Sequence, residues 1–347
     1  LNETKIIKEI YWLRALACLA VVVGHAINMT LENYSYSLSP REEHFLIGLR
    51  FISFFGTPAF IFISEILLAH SYPDNLPKGF LWKRVKFLII PFVFMGGVFA
   101  FITSESLVEA VERAAMNIFL GGYTGYFVLI IFQFYLLHLL LHKYLEKASP
   151  LWIISGAFVV NTLYLGFFHL TEAPDIILGE YIWNRGYWLP FLGWIFYFVI
   201  GYYGGRNYRF FIQKLLPWKH FILVGGMVNL LVIFVLTSSD ILTVVSSKRV
   251  DYLTFTLMIV MTVLLYTQAV KKVPYMIQLM SKYSFNIYLL HNAFLYMFPP
   301  IEGMAPFVYF LLSIFVSIGL SILVVKFAAP FRWSPYFIGK TIPIKQH

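Results

Sequence analysis

The chain has 347 residues, of which 60% are hydrophobic and only 12% are charged, with a formal net charge of +9. About a quarter of the residues of a soluble globular domain are charged, so a water-soluble fold is excluded. The apolar runs are continuous rather than alternating, which excludes a membrane β-barrel and leaves an all-α, polytopic integral membrane helical bundle.

A crossing needs about 20 apolar residues. About ten transmembrane helices are expected, near 11–30, 45–69, 79–103, 124–145, 150–169, 187–205, 219–237, 252–270, 283–299 and 306–328. The connections are too short to fold alone, so residues 1–347 read as a single membrane domain. Cys18 is the one cysteine, and a disulfide framework is therefore excluded. The charged, retained character of the first span argues against a cleavable signal peptide. The chain opens on Leu1 rather than methionine, so further upstream residues are expected.

Orientation follows the basic residues. With the N-terminus inside, 19 Lys/Arg fall on the inner side and six on the outer, while the acidic residues divide four inside and twelve outside. Both termini are thus expected in the cytoplasm. The positive charge reflects topology and anionic lipid headgroups, not nucleic-acid binding.

In the first span, "WLRALACLAVVVGHAIN" carries Arg14 and His25. A charge at mid-bilayer costs about 2.5–3.5 kcal/mol, so intramembrane ionisable groups are functional candidates by default. Eleven residues make three helical turns, about 16 Å along the axis with about 20° of residual rotation, so the two share a face. Without a function they would be a snorkelling arginine and a histidine hydrogen-bonded in the bundle. In the second span, "LRFISFFGTPAFIFISEILLA", Arg50 is expected at the depth of His25, and Glu65 at that of Arg14, where a Glu65–Arg14 pair would lower the cost of both charges. Gly56-Thr57-Pro58 breaks helix regularity, either as a kink or to let a substrate approach the backbone.

"LWKRVKFLIIPF" places Lys83, Arg84 and Lys86 at the start of the third span, as topological anchors or as a docking site for phosphates. At its other end "TSES" exposes Glu105, which is suited to orienting a sugar hydroxyl or is merely a helix-end carboxylate. The fourth span carries Tyr126, Gln133, His138 and His142. The last two have the i, i+4 spacing of metal ligands, but no third ligand accompanies them and no metal is expected. "SFNIYLLHNAF" sets Tyr288 and His291 in the ninth span beside two asparagines, which marks a polar cavity or interhelical hydrogen bonding.

Three of these features together resemble the integral-membrane acyltransferase-3 superfamily: Arg14 and His25 with ten residues between them, "FFGTPAFIFIS" followed by a basic patch and a proline-bearing third span, and "IYLLH" at 287–291. The resemblance covers essentially the whole chain. "RFISFFGTP", "RVKFLIIPF", "SES" and "LGWIFYF" are most similar to the intercellular-adhesin biosynthesis acyltransferases, which modify poly-N-acetylglucosamine in biofilm-forming bacteria. The chain departs from the superfamily at Ser64-Glu65-Ile66, where Ser-Gly-Phe is usual. It departs again at Phe87, where the second arginine of a basic R-x-x-R motif is usual, with Lys83 and Lys86 as substitutes.

The resemblance implies transfer of an acetyl or succinyl group from a cytoplasmic acyl-CoA to a hydroxyl of an envelope polysaccharide, with no resident cofactor. His25, Arg14 and Glu105 are the implied catalytic residues. Arg14, Lys83, Arg84 and Lys86 would hold the donor, and Arg50, Tyr126, Tyr288 and His291 the acceptor. His25, of a residue type that ordinarily titrates near 6.5, would act as general base or carry the acyl group transiently. The implied partners are acyl-CoA, the polysaccharide, membrane lipids and a glycan synthase complex, and the implied location is the bacterial plasma membrane. The competing readings are an exporter of polysaccharide or small solutes and a structural subunit of a synthase. No ATP-binding motif is present, and the polar groups cluster in a few helices.

Overall fold

The computed structural model describes residues 7–342. Among them there are helices and turns and no strand: α1 (Glu9–Asn33), α2 (Pro40–Ser53), α3 (Gly56–Ser71), α4 (Phe80–Arg84), α5 (Ile90–Thr103), α6 (Leu107–Leu120), α7 (Phe127–Lys147), α8 (Pro150–Leu170), α9 (Gly179–Gly186), α10 (Ile195–Arg206), α11 (Tyr208–Leu215), α12 (Lys219–Ser238), α13 (Tyr252–Tyr266), α14 (Tyr275–Tyr296), α15 (Pro306–Ala328) and α16 (Ser334–Phe337). The protein is an all-α polytopic membrane protein.

Among the described residues, eight stretches are long and apolar enough to cross a membrane: Glu9–Asn33, Pro40–Ser71, Phe80–Thr103, Leu107–Lys147, Pro150–Leu170, Tyr208–Ser238, Tyr252–Ala269 and Pro306–Ala328. Two of the ten expected spans differ. Residues 187–205 break into a 3-10 turn at Phe191–Trp194 and the 12-residue α10. Helix α14 has 22 residues but buries Ser281, Ser284, Asn286 and His291, so its composition is that of an interior helix. The expected second span is likewise two helices, broken at Phe54–Phe55.

Local sequence sets several of these ends. Ser39 caps α2 in a reciprocal capping box with Glu42, followed by Pro40 in the first turn. Ser106 accepts from Glu109 N to start α6, and Gly121, at φ 64°, ends it. Between α4 and α5 the helix opens into one π turn, Val85–Ile89, just ahead of Pro91. Proline lacks an N–H and its ring clashes with the carbonyl four residues back, here Phe87, and a widened turn relieves both.

The chain forms two compact units. The first comprises α1 up to Arg14, Thr57–Lys78 and Leu129–Pro274. In it, α10 lies close against α3 through Gly201 and Gly205: a Cβ at Gly201 would meet Phe62 O at 3.1 Å, and one at Gly205 would meet Ile66 O at 2.4 Å. Small residues four apart are the usual route to close helix contact in a bilayer. The outer sides of α8 and α12 expose Leu163, Phe167, Phe221, Val224, Val228 and Leu231, as lipid-facing helices do.

The second unit comprises Ala15–Gly56, Gly79–Val128 and the chain from Tyr275 on. Here α1 and α14 are paired at Cys18, whose Sγ donates to Ser284 O at 3.8 Å, and again at His25 and His291. Both contacts advance by seven residues, so the two helices run parallel. Gly56 is explained by packing: a Cβ there would lie 2.8 Å from Ala17 O. Helix α15 presents Ser313, Ser317 and Ser321, all buried, at four-residue intervals, each donating to a carbonyl of its own helix.

Candidate functional site

The second unit gathers most of the expected site residues. His25 and His291 lie ring to ring, 5.3 Å between centroids. The Nδ1 of His291 is 2.9 Å from Ile287 O and 2.9 Å from Tyr288 O. Two carbonyls can only accept, so the hydrogen bonds assign the proton to Nδ1 and leave Nε2 as a lone-pair acceptor. That Nε2 is buried with no hydrogen-bond partner among the described residues. Tyr288 flanks His291 at 6.3 Å, its hydroxyl donates to Thr124 O, and Tyr126 is its electrostatic neighbour.

Arg50 enters from α2. Its guanidinium carbon is 5.7 Å from the Phe54 ring centre, and its buried Nε has no hydrogen-bond partner among the described residues. Ser53, less than one turn on, has its Oγ 3.1 Å from where a Cβ of Gly24 would stand. Arg50 and His25 therefore lie on adjoining turns of packed helices, as expected.

Lys83 and Arg84 end α4 just before the π turn, and Lys86 lies within it. Arg84 lies over Phe80 at 4.6 Å, and Lys86 Nζ over Trp82 at 5.2 Å. Phe87 stacks on Tyr336 at 5.5 Å and carries Lys340 Nζ on its ring at 5.3 Å. The C-terminal segment is clamped there: Asn286 Nδ2 donates to Ile338 O at 2.7 Å and Gly339 O at 2.9 Å, and Ile342 N donates to Lys282 O at 3.1 Å. Lys340 was not a sequence candidate. It reads from sequence as one more inward cation near the chain end, and only the fold seats it on Phe87. Along α14, Asn286 is about 7.5 Å and Lys282 about 13.5 Å from His291, so one helix links the histidine pair to this basic patch.

Among the described residues, Glu105 forms no hydrogen bond or ion pair with either group. It is exposed in the turn before α6, and its backbone N–H donates to Glu109 Oε2 at 2.9 Å. Arg14 is half-buried on the same unbroken helix as His25, with Tyr11 and Tyr135 as electrostatic neighbours.

The expected Glu65–Arg14 pair does not form. In the first unit, Glu65, 1% exposed, bonds through Oε1 to His138 Nδ1 at 2.6 Å. The close α10 approach and the Ser64–Tyr135 hydroxyl bond of 3.1 Å turn this face of α3 toward α7 and α10. His142 stacks on His138 at 5.9 Å, and its carbonyl accepts from Tyr202 Oη at 2.8 Å. Among the described residues no three His, Cys, Asp or Glu side chains are grouped to hold a metal.

The acyltransferase domain family, Acyl_transf_3, matches residues 7–326. The chain belongs to this acyltransferase family. It is 38% identical to the "Putative membrane-bound acyltransferase YfiQ" of Bacillus subtilis over 296 residues, 83% of this chain and 81% of that one. It is 28% identical to the "Probable poly-beta-1,6-N-acetyl-D-glucosamine export protein" of Staphylococcus aureus over 347 residues, 97% of each chain. A protein of the same name from Staphylococcus epidermidis is 28% identical over 349 residues, 96% of this chain and 94% of that one. No solved structure matches the chain significantly.

Proposed function

We propose that this family member is an O-acyltransferase of the bacterial plasma membrane. It moves an acetyl or succinyl group from cytoplasmic acyl-CoA to a hydroxyl of an envelope polysaccharide. The observation that supports this most is the His25–His291 pair, with an acceptor nitrogen buried and unpartnered beside a histidine of α1.

His25 acts as general base. It takes the proton of the acceptor hydroxyl as that oxygen attacks the thioester carbonyl carbon. The tetrahedral intermediate then collapses with loss of the C–S bond, and the departing thiolate recovers the proton from the imidazolium, leaving an ester and free CoA. His291 Nε2 accepts a hydrogen bond from a neighbouring hydroxyl of the sugar, and Arg50 and Tyr288 border the acceptor. Lys83, Arg84, Lys86 and Lys340 hold the donor phosphates, and the acyl arm extends toward His25, with Arg14, about 16 Å from His25 along α1, helping to hold the donor at a point away from the reacting carbonyl. Glu105, exposed in the turn before α6, contacts incoming glycan without taking part in the proton transfer. With both termini in the cytoplasm, donor and acceptor approach from opposite sides.

The names of the staphylococcal relatives refer to export of poly-N-acetylglucosamine, and one experiment separates the two readings. Ester groups on envelope glycans are measured by mass spectrometry in cells carrying wild type, His25→Ala or neither, with surface glycan quantified in parallel. Esters present with wild type and absent in the variant, at unchanged surface glycan, support transfer and identify the acyl group. Unchanged esters with glycan retained inside support export.

A further inference from the structure

In the first unit, segments 171–190 and 239–251, which the charge bias assigns to the exterior, hold a group of side chains that acyl transfer does not use. Its floor is Trp188, 5% exposed. The backbone that carries the indole is held from two sides: Trp194 Nε1 donates to Trp188 O at 2.7 Å, and Gln133 Nε2 donates to the adjoining Leu189 O at 2.9 Å.

Two cations share this ring. Lys248 Nζ is 4.3 Å from its centre and the Arg185 guanidinium carbon 5.1 Å, with Arg185 also 4.8 Å from the Tyr181 ring. A third cation, Arg249, is fully buried but already neutralised, its Nε and Nη2 donating to Asp251 at 3.1 and 2.6 Å. Arg185 forms no ion pair among the described residues. Its Nε is buried with no hydrogen-bond partner, as are Tyr181 Oη and both ring nitrogens of His169, whose ring lies 5.6 Å from the neighbouring Tyr187.

A buried polar group left without a partner costs about 1–3 kcal/mol, and like charges on one ring repel. The unmet hydrogen-bonding demand here belongs to Arg185, Tyr181 and His169, and Lys248 adds positive charge on the same ring as Arg185. A guanidinium and an ammonium are the usual ligands of such an anion. We propose that Arg185, Lys248, Tyr181 and His169 form a binding site for a phosphate-type oxyanion, whose several oxygens can meet donors converging from three segments. Such a group reaches this place either in solution or as the headgroup of an anionic phospholipid. The site is distinct from the histidine pair, and its test does not depend on acyl transfer.

The test is thermal unfolding of the purified full chain. In neutral detergent it is titrated with inorganic phosphate, with chloride at matched ionic strength as control. It is then placed in nanodiscs of phosphatidylcholine with or without phosphatidylglycerol. Wild type should be stabilised by phosphate, or by phosphatidylglycerol alone, and the two arms separate a soluble group from a lipid. In either case Arg185→Gln should abolish the stabilisation. Tyr181→Phe, which keeps the ring and removes only the hydroxyl, should weaken apparent affinity about five- to tenfold. No stabilisation in either arm, or stabilisation equal in wild type and Tyr181→Phe, overturns the proposal.

Discussion

Glu65 and His138 offer a double-mutant cycle whose size can be worked out in advance. Both are buried, and Glu65 Oε1 is 2.6 Å from His138 Nδ1, while Glu65 Oε2 has no partner among the described residues. Replacing His138 by Leu strands the whole carboxyl group, and replacing Glu65 by Leu strands the ring nitrogen. Breaking a buried pair from one side costs about 3–5 kcal/mol, whereas replacing both partners by apolar side chains is close to neutral. At about 2 °C per kcal/mol for a chain of this size, each single variant should lose on the order of 6–10 °C in a detergent melting assay. The Glu65→Leu/His138→Leu double variant should recover most of it. The same samples should keep ester transfer within a few-fold in the double variant, because the pair joins α3 to α7 and takes no part in the proposed proton transfer. Additive losses in the double variant would refute the pairing. A stable double variant without activity would refute the structural role.

Three further outcomes follow from single contacts. Gly205→Ala should destabilise by about 1–3 kcal/mol through overpacking, because its Cβ meets Ile66 O at 2.4 Å, while Gly204→Ala, whose nearest neighbour is Phe211 at 3.4 Å, should be nearly silent in the same melting assay. Lys340→Ala should raise KM for acyl-CoA about five- to tenfold with kcat little changed, the signature of lost uniform binding, as read in steady-state kinetics. Burial, and then the charge of Arg185, push the Lys248 ammonium down to about 7. Binding of sulfate, which unlike phosphate keeps a constant charge in this range, at the Trp188 site should accordingly be strongest below pH 7 and fall as the pH rises through that value. Lys248→Gln should flatten this profile, with Arg185 still charged and the Arg249–Asp251 pair unchanged.

The all-α membrane fold was legible because hydropathy and the cost of an unsatisfied backbone in lipid leave few alternatives. The face shared by Arg14 and His25 was legible because helical spacing is arithmetic. The His291 motif lies in a buried stretch of α14, where His291 Nδ1 bonds to carbonyls of its own helix, and the structure brings its ring against His25. What escaped was decided by packing between distant segments. Glu65 was assigned to Arg14 by depth alone, but depth does not say which face of α3 turns to which neighbour, and Gly201 and Gly205 settle that from α10. Helix α14 was expected to begin and end elsewhere because its polar residues mask its length. Lys340 gains meaning only from Phe87 and Asn286, far away in sequence. The Trp188 site draws on three segments, none of which carries a motif.

In the proposed reaction His25 moves a proton while other residues hold the donor. The most direct test uses purified wild type and His25→Ala, measuring CoA binding by calorimetry and acyl transfer to an oligosaccharide acceptor in the same preparations. CoA affinity should be unchanged and transfer reduced by about two to four orders of magnitude, the range for loss of a general base. Transfer that survives in His25→Ala, or CoA affinity lost along with transfer, would refute this division of roles.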